Sequence, residues 1–134
     1  MATLSMDFGN GNIPKNDFNN YERIIEDRGS VYSVSVGRVT NREQIKDFLK
    51  QTKGLKRHNK ATHHSWAARI AHDGAIFETK RDDGETGAGA VILRIIQKMN
   101  YIDTAICVVR WYGGIQLHAT RFKHIQDAAM YGLH

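Results

Sequence analysis

The sequence predicts an α+β fold, a two-layer α/β sandwich in which a four-stranded sheet carries its helices on one face. Three observations point there. Stretches of strand and helix periodicity follow one another in the order β-α-β-β-α-β-α. The pair Asp73-Gly74 divides two apolar segments, as a two-residue hairpin turn does. The segment from Asp103 to Tyr112 is apolar on both faces at Ile106, Val108 and Val109, which suits the centre of a sheet.

The elements follow in order. Met1 to Asn20 is rich in Asn and Gly, and residues 1–28 are expected to form a flexible or loosely docked leader to a domain spanning 29–134. Val31 to Val36 alternates Tyr32, Val34 and Val36 against serines, the mark of a half-buried strand. Thr40-Asn41-Arg42-Glu43 has the form of a capping box with Thr40 as the cap. The helix it opens is expected to end near Lys53, before Gly54, with Ile45, Phe48 and Leu49 as its apolar stripe.

Around Asp73-Gly74, a type I′ turn sets residues opposite each other when their numbers sum to about 147. Ile70 then faces Phe77, Trp66 faces Arg81, and Arg69 faces Glu78 as a cross-strand charge pair. Gly87 to Met99 reads as a helix with Ala88, Ile92, Ile95, Ile96 and Met99 inward. A last helix, about Thr120 to Gly132, is expected to bury Phe122, Ile125, Ala129 and Leu133.

A length of 134 residues suits one domain with one core. The apolar runs fall well short of the roughly 20 residues that span a bilayer, and no secretory signal opens the chain, so no membrane partner is expected. The lone Cys107 has no internal partner for a disulfide, which fits a reducing compartment and a cytoplasmic location. Net charge is +5, yet residues 1–27 hold Asp7, Asp17, Glu22, Glu26 and Asp27 against Lys15 and Arg23. The remainder is therefore more basic than the whole, compatible with an anionic partner such as RNA or with solubility alone.

Three groups of residues carry candidate chemistry. The first is Asp82-Asp83-Gly84-Glu85, which the hairpin register brings to His63 and His64, with His64 opposite Asp83. Such a cluster could hold a divalent metal or run acid–base chemistry. Alternatively its carboxylates complement the positive end of the helix that starts at Gly87-Ala88-Gly89. No Ser or Cys nucleophile is visibly paired with a base, and Cys107 reads as a core residue. The second group, Arg110-Trp111-Tyr112-Gly113-Gly114, sets an arginine and two aromatics before a Gly-Gly turn, a recognition surface or a turn packed by its own rings. The third is the lysine stripe Lys46, Lys50 and Lys53, continued by Lys56, Arg57 and Lys60. It is either an electrostatic footprint or a solvated helix face. No phosphate-loop or G-x-G-x-x-G motif occurs, and no cofactor or metal is expected.

Three ordered motifs, Ala61 to Ala67, Asp82 to Gly89 and Val108 to Ile115, resemble those of the IMPACT family, whose bacterial members are YigZ-like. Arg121-Phe122-Lys123-His124-Ile125 resembles the eukaryotic branch, while His118 stands where family members usually have Gly. The resemblance covers about Gly29 to the C-terminus. It implies a β-α-β fold like that of domain 2 of a small-subunit ribosomal protein and of a domain of translocating elongation factors. It further implies a regulator of translation and stress responses. Eukaryotic relatives bind the ribosome-associated activator of the general-control eIF2α kinase, and some bind actin. Those relatives carry an RWD domain; none is expected here, since nothing before Gly29 is long or patterned enough.

The expected function is therefore a non-enzymatic regulatory module for a protein partner linked to the ribosome or the general-control kinase pathway. The alternative is an RNA or ribosome binder using its basic face. A third reading is a hydrolase or metal enzyme built on His64, Asp82, Asp83 and Glu85.

Overall fold

The computed structural model describes residues 11–134. Five antiparallel strands, β1 (Phe18–Asp27), β2 (Ser30–Arg38), β3 (His63–His72), β4 (Ala75–Arg81) and β5 (Thr104–Trp111), form one sheet in the order β1-β2-β5-β3-β4. Among the described residues three α-helices accompany them, α1 (Arg42–Lys53) and α2 (Ala88–Lys98) between strands and α3 (Thr120–Leu133) after the last. The mixed α+β class is as the sequence predicts, and β5 takes the central place that its two apolar faces require.

The hairpin register also holds. Trp66 pairs with Arg81, Ile70 with Phe77 and Arg69 with Glu78, whose side chains meet at 3.1 Å. Asp73 and Gly74 take φ of 50° and 77°, the two positive values a type I′ turn needs.

Three expectations are corrected. The sheet has five strands, because Phe18–Asp27, inside the stretch read as a leader, pairs along β2. That pairing slips register between Tyr21 and Ile25, so period-two alternation is broken and the strand is masked in the sequence. The first ten residues of the expected leader lie outside the described residues. The added strand also changes β2, whose Ser33 and Ser35 are fully buried rather than exposed. Ser33 Oγ accepts from the Arg23 N–H at 2.9 Å, and Ser35 Oγ donates to Asn20 Oδ1 at 2.8 Å.

Second, the helices do not share one face. Tyr32, Val34, Val36, Ala67, Ile106 and Val108 pack under α2 and α3, with Ile92, Ile96, Ile125 and Ala129. The alternate residues Ala68, Ile70, Ala105, Cys107 and Val109 pack under α1, with Ile45 and Phe48. Third, the cap of α1 is one residue later than expected. Asn41 Oδ1 accepts from the Gln44 N–H at 2.8 Å, and Gln44 Oε1 accepts from the Thr40 N–H at 2.7 Å. Glu43 instead meets Lys46 on the exposed side at 3.6 Å.

Candidate functional site

The three sequence motifs meet at one end of the sheet. Antiparallel pairing of β3 with β5 sets His63 beside Arg110, and the hairpin returns the chain from β4 so that Asp82 to Glu85 passes the start of β3. The side chains then divide between the two faces, since neighbours on a strand point oppositely.

On the α2/α3 face, Arg110 turns inward and meets Glu85, which lies just before α2. Arg110 Nη1 donates to both carboxylate oxygens, at 3.1 and 2.9 Å, and Nη2 donates to Ser30 Oγ at 3.3 Å. Arg121 of α3 approaches the same carboxylate at 3.6 Å. Tyr32 lies beneath, its ring 5.5 Å from the Arg110 guanidinium carbon. Its hydroxyl is buried with no hydrogen-bond partner among the described residues, and that burial pushes its pKa up to about 12. Nearby, His124 Nε2 lies 2.8 Å from Asp27 Oδ2. Hydrogen bonds from Arg28 and then His124 hold the Asp27 carboxyl below its usual range.

Asp82 serves the helix that follows it. Its two oxygens accept from the Gly87 N–H at 2.9 Å and the Gly89 N–H at 2.8 Å, and these bonds lower its pKa. A Cβ at Gly89 would lie 3.0 Å from Asp82 Oδ1 and 3.1 Å from the Arg81 nitrogen, so glycine lets the helix sit against its cap. The Asp83 side chain accepts from the His64 N–H at 2.7 Å, while the Asp83 carbonyl lies 2.8 Å from His63 Nδ1.

His64 points to the α1 face, away from His63. Its Nδ1 is 3.5 Å from Asp83 Oδ2, and its Nε2 is 2.6 Å from the carbonyl of His58. His58, fully buried, lies 2.8 Å from Glu22 of β1 and meets the Trp111 ring edge-on at 5.1 Å. The expected gathering of two histidines with three carboxylates is thus partly realised. His64 and Asp83 are together, whereas Asp82 and Glu85 are engaged by α2 and by the arginines.

The two glycines after β5 do different things. A Cβ at Gly113 would fall 2.1 Å from the Gly29 carbonyl carbon, so the loop lies directly on the β1–β2 turn. Gly114 has open space around it but a φ of 93°, which L side chains rarely adopt. Beside them Tyr112 and Ile115 are 43% and 51% exposed. Lys46, Lys50 and Lys53 are all outward-facing on α1, on the other face of the sheet from Arg110.

Residues 28–133 match the Impact N-terminal domain. The chain belongs to the Impact N-terminal domain family. It is 38% identical over 107 residues to the Protein IMPACT homolog of Saccharomyces cerevisiae, covering 78% of this chain and 42% of that protein. It is likewise 38% identical to Protein IMPACT of Oryctolagus cuniculus, covering 78% of this chain and 34% of the relative. The chain therefore spans less than half the length of these curated relatives. Among solved structures, a hypothetical protein superposes with a TM-score of 0.71 at 25% identity, covering 90% of this chain and 56% of the other. The two-domain translational regulator Yih1 superposes with a TM-score of 0.60 at 34% identity, covering 89% and 46%.

Several residues at this end of the Impact N-terminal domain escape a reading of its sequence motifs. Ser30, Tyr32, His58, Glu22 and Arg121 come from β1, β2, the turn after α1 and the start of α3. The signal available for Arg121 is its place in the Arg121-Phe122-Lys123 stretch; Ser30 and Tyr32 read only as a strand.

Proposed function

We propose that this domain is a non-enzymatic binding module of translation control in the cytoplasm. Its partner is a protein linked to the ribosome or to the general-control kinase pathway, held at the sheet end where the three motifs meet. The carrying observation is the use to which the polar motif residues are put. Asp82 caps α2, Glu85 holds Arg110 and approaches Arg121, and His64 bonds to main chain. Around these anchored groups the Gly113-Gly114 loop presents Tyr112 and Ile115 to solvent. An exposed aromatic and an aliphatic side chain beside a rigid polar core suit a protein interface, where a few such anchors supply most of the affinity. Kinship with a protein described as a translational regulator supports the same reading.

Capture of ribosome-associated proteins on the immobilised chain tests it. The wild-type chain is expected to retain such a partner, and Tyr112→Ala with Ile115→Ser is expected to release it while leaving the unfolding midpoint nearly unchanged. A folded wild-type chain that retains no ribosome-linked protein overturns the proposal.

A further inference from the structure

We infer that the cleft around Trp111, on the α1 side of the sheet, is a binding site for single-stranded nucleic acid. One base would lie against the indole, with neighbouring phosphates on Arg23, Lys56 and Arg57. This goes beyond a protein partner at Tyr112 and stands or falls separately from it.

The cleft is about 240 Å³, lined by Glu22, Arg23, Val31, Lys56, Arg57 and Trp111. That is below the roughly 300 Å³ at which small-molecule pockets begin, so it suits one planar ring of a longer ligand. Its platform is fixed in advance. Trp111 Nε1 donates to the Arg57 carbonyl at 3.2 Å, and His58 holds the ring edge-on with the planes at 84°. Preset aromatic surfaces flanked by cations are how sequence-tolerant single-strand binders take a base.

The cations are placed by unusual backbone. Arg23 and Arg57 have φ of 52° and 71°, a region that side chains of this size seldom enter. Arg23 stands at the register slip of β1, where a bulge re-aims a side chain. Among the described residues Lys56 and Arg57 have no ion-pair partner, and Arg23 meets only the exposed Glu26, at 3.6 Å. The one carboxylate in the lining, Glu22, lies 2.8 Å from buried His58. Upstream, Lys50 and Lys53 occupy the last turn of α1, so positive charge leads along the chain into the cleft. Cations at the mouth of an indole favour a base with phosphates over a peptide, whose acidic side chains would leave the ring unused.

The test is fluorescence anisotropy of labelled oligo-uridine, oligo-adenosine and the matching single-stranded DNAs, titrated with the full chain across a salt series. Log affinity is expected to fall linearly with log salt, and Arg23→Gln with Arg57→Gln to reduce that slope by about 0.7 for each phosphate left without its arginine. Trp111→Ala is expected to weaken binding about 5- to 150-fold at every salt with the slope kept, and Trp111→Phe to restore most of it. The arginine variants, exposed and away from the core, keep the test valid where Trp111→Ala unfolds the chain. No binding by the folded wild type overturns the inference, as does an unchanged slope in the arginine variants. Displacement by polyglutamate or heparin at the same charge concentration as RNA also overturns it, because charge alone would then explain binding.

Discussion

Arg110 and Glu85 form an ion pair that the fold almost entirely encloses: one nitrogen of the guanidinium serves both carboxylate oxygens, at 3.1 and 2.9 Å, and the residues are 5% and 4% exposed. The two come from the central strand and from the loop before α2, so the bond ties the hairpin's end to the middle of the sheet. Arg121 stands 3.6 Å from the same carboxylate, which makes Glu85 the counter-charge of two arginines. Removing it leaves the buried Arg110 guanidinium without its counter-charge in a site that water barely reaches. Glu85→Gln is expected to cost about 3–5 kcal/mol in urea unfolding, the usual penalty for breaking a buried pair from one side. Adding Arg110→Met to that variant is expected to recover part of the loss, and simple additivity of the two changes would show the residues to be uncoupled.

Acid should weaken the chain through Asp82. Its pKa in the fold is lowered from 3.8, first by the Gly87 N–H and then by the Gly89 N–H. A carboxyl with a depressed folded value contributes stability that is complete above its unfolded value. That contribution is lost as pH falls through the folded value, because the unfolded chain binds the proton more readily. Asp82→Ala is expected to cost about 1 kcal/mol at neutral pH as a lost helix cap. It should also flatten the decline of thermal midpoint below about pH 4, which a melting series on both proteins measures. An equally steep decline in the variant would assign the acid sensitivity to other carboxyls; Asp27 shares the direction of shift.

The Gly113-Gly114 pair should respond unequally to alanine. Gly114→Ala meets open space and bears only the strain of a positive φ, about 1–2 kcal/mol. Gly113→Ala puts a carbon 2.1 Å from the Gly29 backbone, so the loop must leave the β1–β2 turn. The Gly113 variant is expected to be the less stable of the two in parallel denaturation curves. Its residue-113 N–H should also part from Ser30 Oγ, seen as faster amide exchange at that position.

Cys107 should be inert in the folded chain. It lies fully buried in β5, and desolvation pushes its thiol up to about 12, so almost no thiolate is present at neutral pH. Labelling with a chromogenic disulfide reagent is expected to proceed only as fast as the chain opens, and to become immediate in denaturant. Rapid labelling without denaturant would contradict the packing of this strand.

Much of the local architecture is legible in the residues. Asp73-Gly74 carries its own turn geometry, and with it the pairing of Trp66 with Arg81 and the approach of His64 to Asp83. The apolar residues on both sides of β5 declare its central position. β1 is less legible, because Phe18-Asn19-Asn20-Tyr21 and the slip before Ile25 disrupt the alternation by which a strand is recognised. The cap of α1 is misread by one residue because Thr40 and Asn41 are both competent caps, and the bonding of Gln44 decides between them.

The candidate site follows the same division. By itself the sequence determined the hairpin register, the central strand, most of the apolar stripes of the helices and the three motifs, since these depend on residues close together along the chain. Phe122, expected inward on α3, is only half-buried, and Ala128 is buried there as well. Only the tertiary structure decided that α1 lies opposite α2 and α3, that His63 and His64 part to different faces, and that Glu85 meets Arg110 and Arg121. Periodicity states that a helix has one apolar face but not which side of a sheet will cover it. That choice is made when distant segments close on one another and their burial is settled together.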